Sequence, residues 1–336
     1  EQARPEPVKP EPIAKQADLH LALRPGTDPV VALALIRELF ASGRADRAFL
    51  DQHATRADEL ERRAAPWTLE RAAGVADVPL ADLARFVDLY AAISPAVVRC
   101  GWGLERNRNG GSAVAAVLAL PAVAGKFGVR GGGYTLSNSS AWKMNAESIS
   151  GPEAPTRTIN MNRLGAALTA SSPKPIHLLF VYNSNALMTT PNQTLVRRGL
   201  GREDLFTIVF DQVLTDTARY ADLVLPATTF LEHRELARGY GAFVLQSIAP
   251  VIDPVGQARS NYSVFGDLAV RTGVASADEI PTEEAAITQI LDSSGRGPDL
   301  RAELAANGFA RPDAGDHPVQ FVDVFPRTDD RKVHLV

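Results

Sequence analysis

Three short apolar runs in the second half of the chain constrain its fold more than any other feature. Residues 176–182, 205–210 and 223–225 are almost continuously apolar, and polar or turn-forming residues bound each run. Strands that are buried on both faces have this pattern, whereas half-exposed antiparallel strands alternate apolar and polar residues. Short helices are predicted between the runs, over 194–199 and 215–220. Strand–helix–strand order of this kind indicates an α/β fold with a parallel sheet.

The first half of the chain is predicted to be mainly helical. Asp28 is a good N-cap residue for a helix over 30–41. A second apolar helix is expected over 112–124, and the β-branched residues of 96–100 predict a short strand. Leucines at alternate positions predict another short strand over 18–23.

Two stretches are predicted to lack regular structure. Residues 125–140 are rich in glycine, and 141–173 are rich in Ser, Pro, Asn and Thr. The loop-like composition of residues 141–173 predicts a domain boundary near 150–173. The predicted parts are an extended Pro-rich linker (1–16), a first α/β region (17–145), a loop-rich connector (146–173), a second α/β region (174–275), and a helical segment with a further connector (276–336).

Charge and cysteine content exclude several classes of function. Lys and Arg number 35 against 39 Asp and Glu, so the net charge of −4 lacks the basic excess of a nucleic-acid binder. With Cys100 as the single cysteine, an intrachain disulfide and a cluster held only by this chain's cysteines are excluded. No apolar run approaches the roughly 20 residues that span a bilayer. No export signal is seen in this sequence, so we favour a cytoplasmic over a periplasmic location.

Polar and glycine residues follow three of the predicted strands. Asn183-Ser184-Asn185 follows one strand, Asp211-Gln212 a second, and Gly101-Trp102-Gly103 a third. Ligands of parallel sheets bind beyond the carboxyl ends of the strands. Amide, carboxylate and glycine backbone groups suit ribose, a purine edge and phosphate respectively. The same residues are also common in plain turns and caps, so taken singly each is only a candidate.

Familiar catalytic patterns are missing from the sequence. The glycine run at 131–133 fits neither a dinucleotide fingerprint nor a P-loop, and no Gly-x-Ser-x-Gly elbow occurs. Cys100 lies on a predicted strand and is expected to be a buried, inert thiol. Glu232 and His233 are candidates for an acid/base pair, although a surface or ion-paired role is favoured.

Residues 217–228, Thr-Ala-Arg-Tyr-Ala-Asp-Leu-Val-Leu-Pro-Ala-Thr, followed by Glu232, carry a specific resemblance. They resemble the T-A-x-x-A-D-x-V-L-P signature, with its later Glu, of molybdopterin oxidoreductases in the dimethyl sulfoxide reductase family. Five further blocks resemble that family in its order: 17–28, 101–110, 120–133, 180–191 and 254–273. In the fourth of these, Ala186 and Asn192 replace a proline and an aspartate of the family pattern.

The resemblance implies that this chain is the middle fragment of a catalytic subunit. The implied fold is two Rossmann-like three-layer α/β domains with mostly parallel sheets, both incomplete relative to the family. The implied cofactor is molybdopterin guanine dinucleotide with Mo or W, two copies per metal, used for two-electron oxidation or reduction. A [4Fe–4S] cluster would belong only to a missing upstream domain. Implied partners are the missing N- and C-terminal domains or complementary chains, and an electron-transfer subunit. The chain alone is expected to be inactive.

The resemblance also transfers family roles to particular residues. Each α/β region would be a dinucleotide-binding region that holds one nucleotide end. No residue of this chain matches a molybdenum ligand, and the substrate cannot be read from these blocks. The implied cofactor-binding residues are Gly26, Asp28, Gly101 and Gly103 for one nucleotide, and Asn183, Asn185, Asp211 and Thr217 for the other.

Two other classes remain open from the sequence. One is a non-catalytic structural subunit that keeps this fold without the cofactor. The large peripheral subunit of respiratory complex I resembles such a subunit. The other is the nucleotide-binding central domain of thiamine-diphosphate enzymes, which would have a six-stranded parallel sheet in one domain. The Ala-Asp-x-Val-Leu-Pro block at 221–226 argues against the second.

Overall fold

A computed structural model describes residues 14–136, 141–144, 156–239, 243–315 and 317–336. The chain divides into two compact units, one formed by Glu1–Asn138 with Ala314–Val336 and the other by Ser139–Asp313. Of the predicted linker, residues 1–13 lie outside the described residues, as do residues 146–155 of the predicted connector. The two units are described separately.

The first unit is built around a helical core. Leu35, Ile36 and Leu39 of its first helix are almost completely buried. That helix packs against the third, fourth and sixth, which confirms the expectation of a mainly helical first half. The helices of the described part of this unit are α1 (Asp28–Ala41), α2 (Arg47–His53), α3 (Ala57–Ala64), α4 (Leu69–Ala76), α5 (Leu80–Ala92) and α6 (Gly110–Val123).

Two details at the start of α1 differ from expectation. Thr27, not Asp28, is the N-cap residue, and its hydroxyl donates to Arg24 O at 2.6 Å. The strand predicted over 18–23 is wrong, because this segment has no ladder partner in the described residues. Leu21 and Leu23 instead pack against the helical core, which explains their alternating pattern.

The strands of the first unit form two small parallel pairs. β1 (Ala54–Thr55) pairs with β10 (Val333–His334), and β2 (Val97–Arg99) pairs with β3 (Gly133–Thr135). The predicted strand over 96–100 is therefore confirmed. The prediction of a loop throughout 125–140 is wrong at β3, where Gly133 N donates to Ala96 O at 3.1 Å.

The second unit contains a three-layer α/β sandwich: the apolar runs predicted its parallel sheet, and the resemblance implied its three layers. Its sheet is parallel, in the order β4 (Leu178–Tyr182), β5 (Phe206–Asp211), β6 (Leu223–Pro226). Leu179 and Val181 face α7 (Leu164–Thr169), α8 (Ala186–Thr189) and α9 (Gln193–Leu200). Phe180 and Phe210 face α10 (Asn261–Arg271) on the opposite side. The parallel sheet of three strands in a two-unit chain disfavours the thiamine-diphosphate alternative.

Two expectations about this sandwich need correction. The run 141–173 is not wholly loop, because α7 forms within it. Gly165 and Gly199 let α7 and α9 approach closely: a Cβ on Gly165 would lie 2.8 Å from Leu195 Cβ. The strands are also not buried on both faces throughout. Leu178 and Phe206, at the amino ends of β4 and β5, are 58% and 47% exposed, because α10 covers only the carboxyl half of that face.

A smaller antiparallel sheet completes the second unit. β7 (Glu235–Arg238), β8 (Leu245–Ile248) and β9 (Phe309–Ala310) form it in that order. With α11 (Glu283–Asp292) and α12 (Pro298–Asn307) it encloses a separate core around Trp142, Leu245 and Leu300. Within the described residues, no helix is long and apolar enough to cross a membrane.

Candidate functional site

The carboxyl ends of β4 and β5 meet at one edge of the parallel sheet, where a cavity of about 590 Å³ opens. Asn183 and Asn185 reach this cavity from the loop after β4, and Asp211 reaches it from the last position of β5. The structure therefore brings three of the sequence-predicted residues together. Ser184, Gln212 and Thr215 complete the wall on the strand side.

Thr217, the fourth predicted residue here, lies behind that wall. It is fully buried and is not among the residues that line the cavity. Its hydroxyl donates to Asn185 Oδ1 at 2.9 Å and accepts from Leu187 N at 3.0 Å. Thr217 thereby fixes the carboxamide of Asn185 and leaves the Asn185 amide nitrogen turned toward Asp216, 3.4 Å away.

Asn183 and Asp211 have different surroundings. Asn183 is exposed and has a φ of 51°, a left-handed conformation that Asn adopts more readily than most residues. Asp211 is half-buried, and its Oδ1 accepts from Gln212 N at 2.8 Å. The described residues put no donor on Asp211 Oδ2, so one carboxylate oxygen is available to a ligand.

The loop after β6 supplies the opposite wall. Thr228, Phe230, His233, Arg234 and Glu235 line the cavity from this side. The loop starts next to Asp211, because Ala227 N donates to Asp211 O at 3.1 Å. Gln212 Nε2 also donates to Thr228 O at 3.1 Å. Both bonds join this wall to the end of β5.

Glu232 holds this loop in shape. Its buried carboxylate accepts from Thr229 N at 2.7 Å, from Thr229 Oγ1 at 2.8 Å and from Val255 N at 2.7 Å. These bonds lower the pKa of Glu232, the backbone bond from Thr229 most strongly. The surface role expected for Glu232 is wrong, because its carboxylate is buried and bonded to the loop. The ion-paired role fits His233, whose Nε2 lies 3.5 Å from Glu235 Oε2, and the acid/base pair stays a prediction.

His233 is oriented from both sides of its ring. Its Nδ1 lies 2.8 Å from Thr228 Oγ1, and its Nε2 lies 3.5 Å from Glu235 Oε2. A carboxylate only accepts, so the proton of the neutral ring belongs on Nε2 and the Thr228 hydroxyl donates to Nδ1. The ring is thus fixed at the cavity wall with both nitrogens engaged.

Four further cavity residues escaped the sequence reasoning. Ser260, Asn261 and Tyr262 come from the start of α10, and Glu283 is the first residue of α11. Phe230, Arg234 and Glu235, on the wall after β6, were also missed. A usable signal existed for Ser260: serine is a preferred N-cap residue, and its hydroxyl accepts from Ser263 N at 3.2 Å at the start of α10.

The cofactor-binding residues predicted in the first unit are less closely connected than those at the carboxyl ends of β4 and β5. Gly26 has a φ of 83° and its carbonyl accepts from Asn109 Nδ2 at 3.1 Å. Gly103 O accepts from Asn107 Nδ2 at 3.3 Å, and Asn107 Oδ1 lies 3.9 Å from the Cβ position of Gly26. Two asparagines thus connect Gly26 with Gly103 beside the starts of α1 and α6.

The remaining two predicted residues of the first unit lie close by in sequence. Asp28 is in the first turn of α1, and Gly101 follows β2. Cys100, directly before Gly101, is buried, as expected. No cluster of three His, Cys, Asp or Glu side chains suited to a metal ion occurs in the portions of the chain that the structure describes.

Comparison with known proteins gives a consistent family match. A family model described as Molybdopterin oxidoreductase matches residues 6–271. The probable oxidoreductase YoaE of Bacillus subtilis (strain 168) is 35% identical over 280 residues, which are 82% of this chain and 41% of that protein. Biotin sulfoxide reductase of Cereibacter sphaeroides is 27% identical over 281 residues, 76% of this chain and 37% of that protein.

Proteins named acetylene hydratase match this chain in the sequence comparison and in the structure comparison. Acetylene hydratase of Syntrophotalea acetylenica is 24% identical over 303 residues, 78% of this chain and 41% of that protein. The solved structure of acetylene hydratase from Pelobacter acetylenicus matches with a TM-score of 0.70 at 22% identity, over 96% of this chain and 50% of that chain. At this identity the structural match concerns the fold alone. The chain spans about two fifths of the length of these curated relatives.

Proposed function

The chain belongs to the molybdopterin oxidoreductase family, and from this premise we propose that it holds the guanine dinucleotide arms of a molybdenum or tungsten bis-pterin cofactor. The complete enzyme would use this cofactor for two-electron oxidation or reduction of a substrate. One observation carries the proposal. Three polar side chains from adjacent strand ends, Asn183, Asn185 and Asp211, converge on a single cavity in the second unit.

The cavity suits a nucleotide in size and in chemistry. Its volume of about 590 Å³ falls within the roughly 300–1,000 Å³ of small-molecule sites. Asp211 Oδ2 is an open acceptor for N–H groups on the edge of a base. The Asn185 amide is a donor for ribose or phosphate oxygens, and Arg234 adds a cation to the same wall. A nucleotide requires hydrogen-bond acceptors for the N–H groups of its base and donors for its ribose and phosphate oxygens.

The residues around the cavity have distinct proposed roles. Asp211 would accept from guanine N1–H and N2–H₂, a paired contact that adenine cannot make. Thr217 would act through Asn185, by holding its carboxamide in one orientation. Glu232 would act through the loop 228–235, by fixing the turn that carries it. When bound, the cofactor supplies the redox chemistry at its metal.

The first unit would hold the second nucleotide arm. Gly26 and Gly103 bring backbone groups to the starts of α1 and α6, where the unpaired N–H groups of helix N-termini favour an anion. Asn107 and Asn109 would keep that turn in place. Asp28 and Gly101 remain predictions for this arm.

Redox activity is proposed for a longer assembly. The chain spans about two fifths of the relatives that it matches, so we propose that further domains or complementary chains close the site over the cofactor. An electron-transfer subunit is a further proposed partner. On this proposal the chain by itself binds nucleotide and catalyses no redox reaction.

The proposal is tested by cofactor analysis of the full-length parent protein. Molybdenum, tungsten and the guanosine monophosphate released by acid hydrolysis are measured per chain, in the wild type and in Asp211→Ala. We expect metal with about two nucleotides in the wild type, and less nucleotide in the variant. Glu203→Gln, an exposed change outside the cavity, is the control. Absence of both metal and nucleotide from the wild type would overturn the proposal and favour the structural-subunit alternative.

A further inference from the structure

The cavity of the second unit has one strongly exposed aromatic ring on its wall. Phe230 is 60% exposed and lines a cavity whose other residues, Tyr262 included, all carry polar groups. Leaving a phenylalanine in water forgoes about 1.5–3 kcal/mol relative to burial. The exposed part of the Phe230 ring is available to a ligand that fills the cavity.

The exposure of Phe230 does not come from a loose loop. On one side, Thr229 donates to the buried carboxylate of Glu232 from both its backbone and its hydroxyl. On the other side, the carbonyl of Leu231 accepts from Val251 N at 2.8 Å and from Ile252 N at 3.2 Å. Both neighbours of Phe230 are thus anchored, and the backbone presents the ring in a fixed place.

The ring shares its cavity with an open carboxylate oxygen. The loop that carries Phe230 leaves the sheet beside Asp211, joined to the end of β5 through Ala227 N and Gln212 Nε2. Asp211 Oδ2 has no donor among the described residues. A ligand that fills the cavity therefore meets a flat apolar surface and an acceptor on connected walls.

A purine base with N–H groups on its edge combines these two properties. Its faces stack on aromatic side chains, and its edge donates hydrogen bonds. We propose that Phe230 is the surface on which the guanine ring of the bound nucleotide stacks, while Asp211 binds the edge of the same ring. The inference rests on the proposed function, which assigns a guanine nucleotide to this cavity, and it adds the residue that holds the base face.

The test measures binding of guanosine diphosphate by calorimetry to the full-length parent protein, purified without its cofactor. Phe230→Leu keeps an apolar side chain but removes the flat ring, and it is expected to weaken binding by about 5- to 100-fold. Phe230→Tyr keeps the ring and is expected to bind as the wild type does. Phe309→Ala removes a partly exposed phenylalanine outside the cavity and is the matched control.

Nuclear magnetic resonance of the ligand gives a second, independent readout. Stacking on a ring moves the guanine H8 signal upfield upon binding. This shift is expected with the wild type and Phe230→Tyr, and is expected to vanish with Phe230→Leu. Thermal unfolding midpoints equal to that of the wild type show that each variant is folded.

The outcomes separate the inference from the proposed function. No binding of guanosine diphosphate to the wild type would overturn the proposed function of this cavity, and the inference with it. Binding that is equally tight in the wild type and in Phe230→Leu, with the upfield shift retained, would overturn the inference alone. Equal affinity for adenosine diphosphate would contradict the edge contact with Asp211.

Discussion

The hydroxyl of Thr217 donates to Asn185 Oδ1 at 2.9 Å, and this bond joins the loop after β4 to the segment that precedes β6. The same hydroxyl accepts from Leu187 N at 3.0 Å, so one buried oxygen holds two positions at the start of α8. Asn185 lines the cavity and Thr217 does not. The pair shows how a fully buried residue can set the geometry of a binding site from outside it.

Replacing Thr217 with Val is expected to affect both stability and binding. Valine has the same shape but leaves Leu187 N without a partner and Asn185 Oδ1 with only the backbone N–H of residue 217, 3.3 Å away, which costs about 1–3 kcal/mol in the free energy of unfolding. The less firmly held carboxamide of Asn185 is expected to weaken guanosine diphosphate binding. Thr217→Ser keeps the hydroxyl and is expected to restore binding. If Thr217→Val binds the nucleotide as tightly as the wild type, Thr217 supports only the fold.

The buried carboxylate of Glu232 predicts a specific pH dependence of stability. Its pKa is lowered in the folded state, chiefly by the backbone bond from Thr229. A lowered carboxyl pKa stabilises the fold above the ordinary value of about 4.3, and this stabilisation is lost as the pH falls through the folded-state pKa. Glu232→Gln is expected to be less stable than the wild type at pH 7, with the difference shrinking below about pH 4.

Urea unfolding midpoints between pH 3 and pH 8 check this expectation. Glu203→Gln, which changes an exposed glutamate of the same unit, is the control and is expected to follow the wild type throughout. A gap between Glu232→Gln and the wild type that stays constant over the whole pH range would refute the argument.

Much of the second unit was predictable because its strands are local features. The runs that became β4, β5 and β6 were recognised, and parallel pairing then forced Asn183, Asn185 and Asp211 to one edge. The far wall could not be predicted in the same way. Tyr262 and Glu283 come from two helix starts that only tertiary packing brings to the sheet.

The first unit shows a second limit of sequence patterns. β3 is three residues long and begins with Gly133, so it has no apolar periodicity to recognise. Its partner β2 lies more than thirty residues earlier in the chain. A helix end depends on local interactions, yet the cap predicted for α1 was wrong by one residue, because Thr27 and not Asp28 is its N-cap.

The crossing of α7 and α9 depends on two glycines. A Cβ on Gly199 would lie 2.5 Å from Leu168 Cβ, and one on Gly165 would lie 2.8 Å from Val196 N. Gly199→Ala is expected to cost about 1–3 kcal/mol through overpacking, despite the better helix propensity of alanine. Gly201→Ala is the matched control, because its nearest neighbour, Arg197 O, is at an ordinary 3.5 Å. If both variants unfold at the same urea concentration, α7 and α9 can move apart without a loss of stability, and the close-packing argument is wrong.

Gln320 completes the edge of β3 with its side chain. Its Oε1 accepts from Tyr134 N at 2.9 Å and its Nε2 donates to Tyr134 O at 2.8 Å, so the amide imitates a neighbouring strand. A Cβ on Gly133 would lie 2.2 Å from that Oε1. Gly133→Ala should therefore break the pair as well as strain a backbone with φ of 100°, for a combined loss of about 2–5 kcal/mol.

Gly128→Ala separates the two contributions to that loss. Gly128 also has a positive φ, of 72°, but a Cβ there would meet no atom within 4 Å, so only the backbone strain of about 1–2 kcal/mol is expected. Gln320→Ala removes the pair without the strain and is expected to cost about 1–3 kcal/mol. Urea unfolding of the three variants measures the contributions of backbone strain and of the pairing between Gln320 and Tyr134. Hydrogen exchange of the Tyr134 amide then reports whether the pairing is lost. Slow exchange of that amide in Gln320→Ala would mean that another group protects it and that the pairing contributes little to the edge of β3.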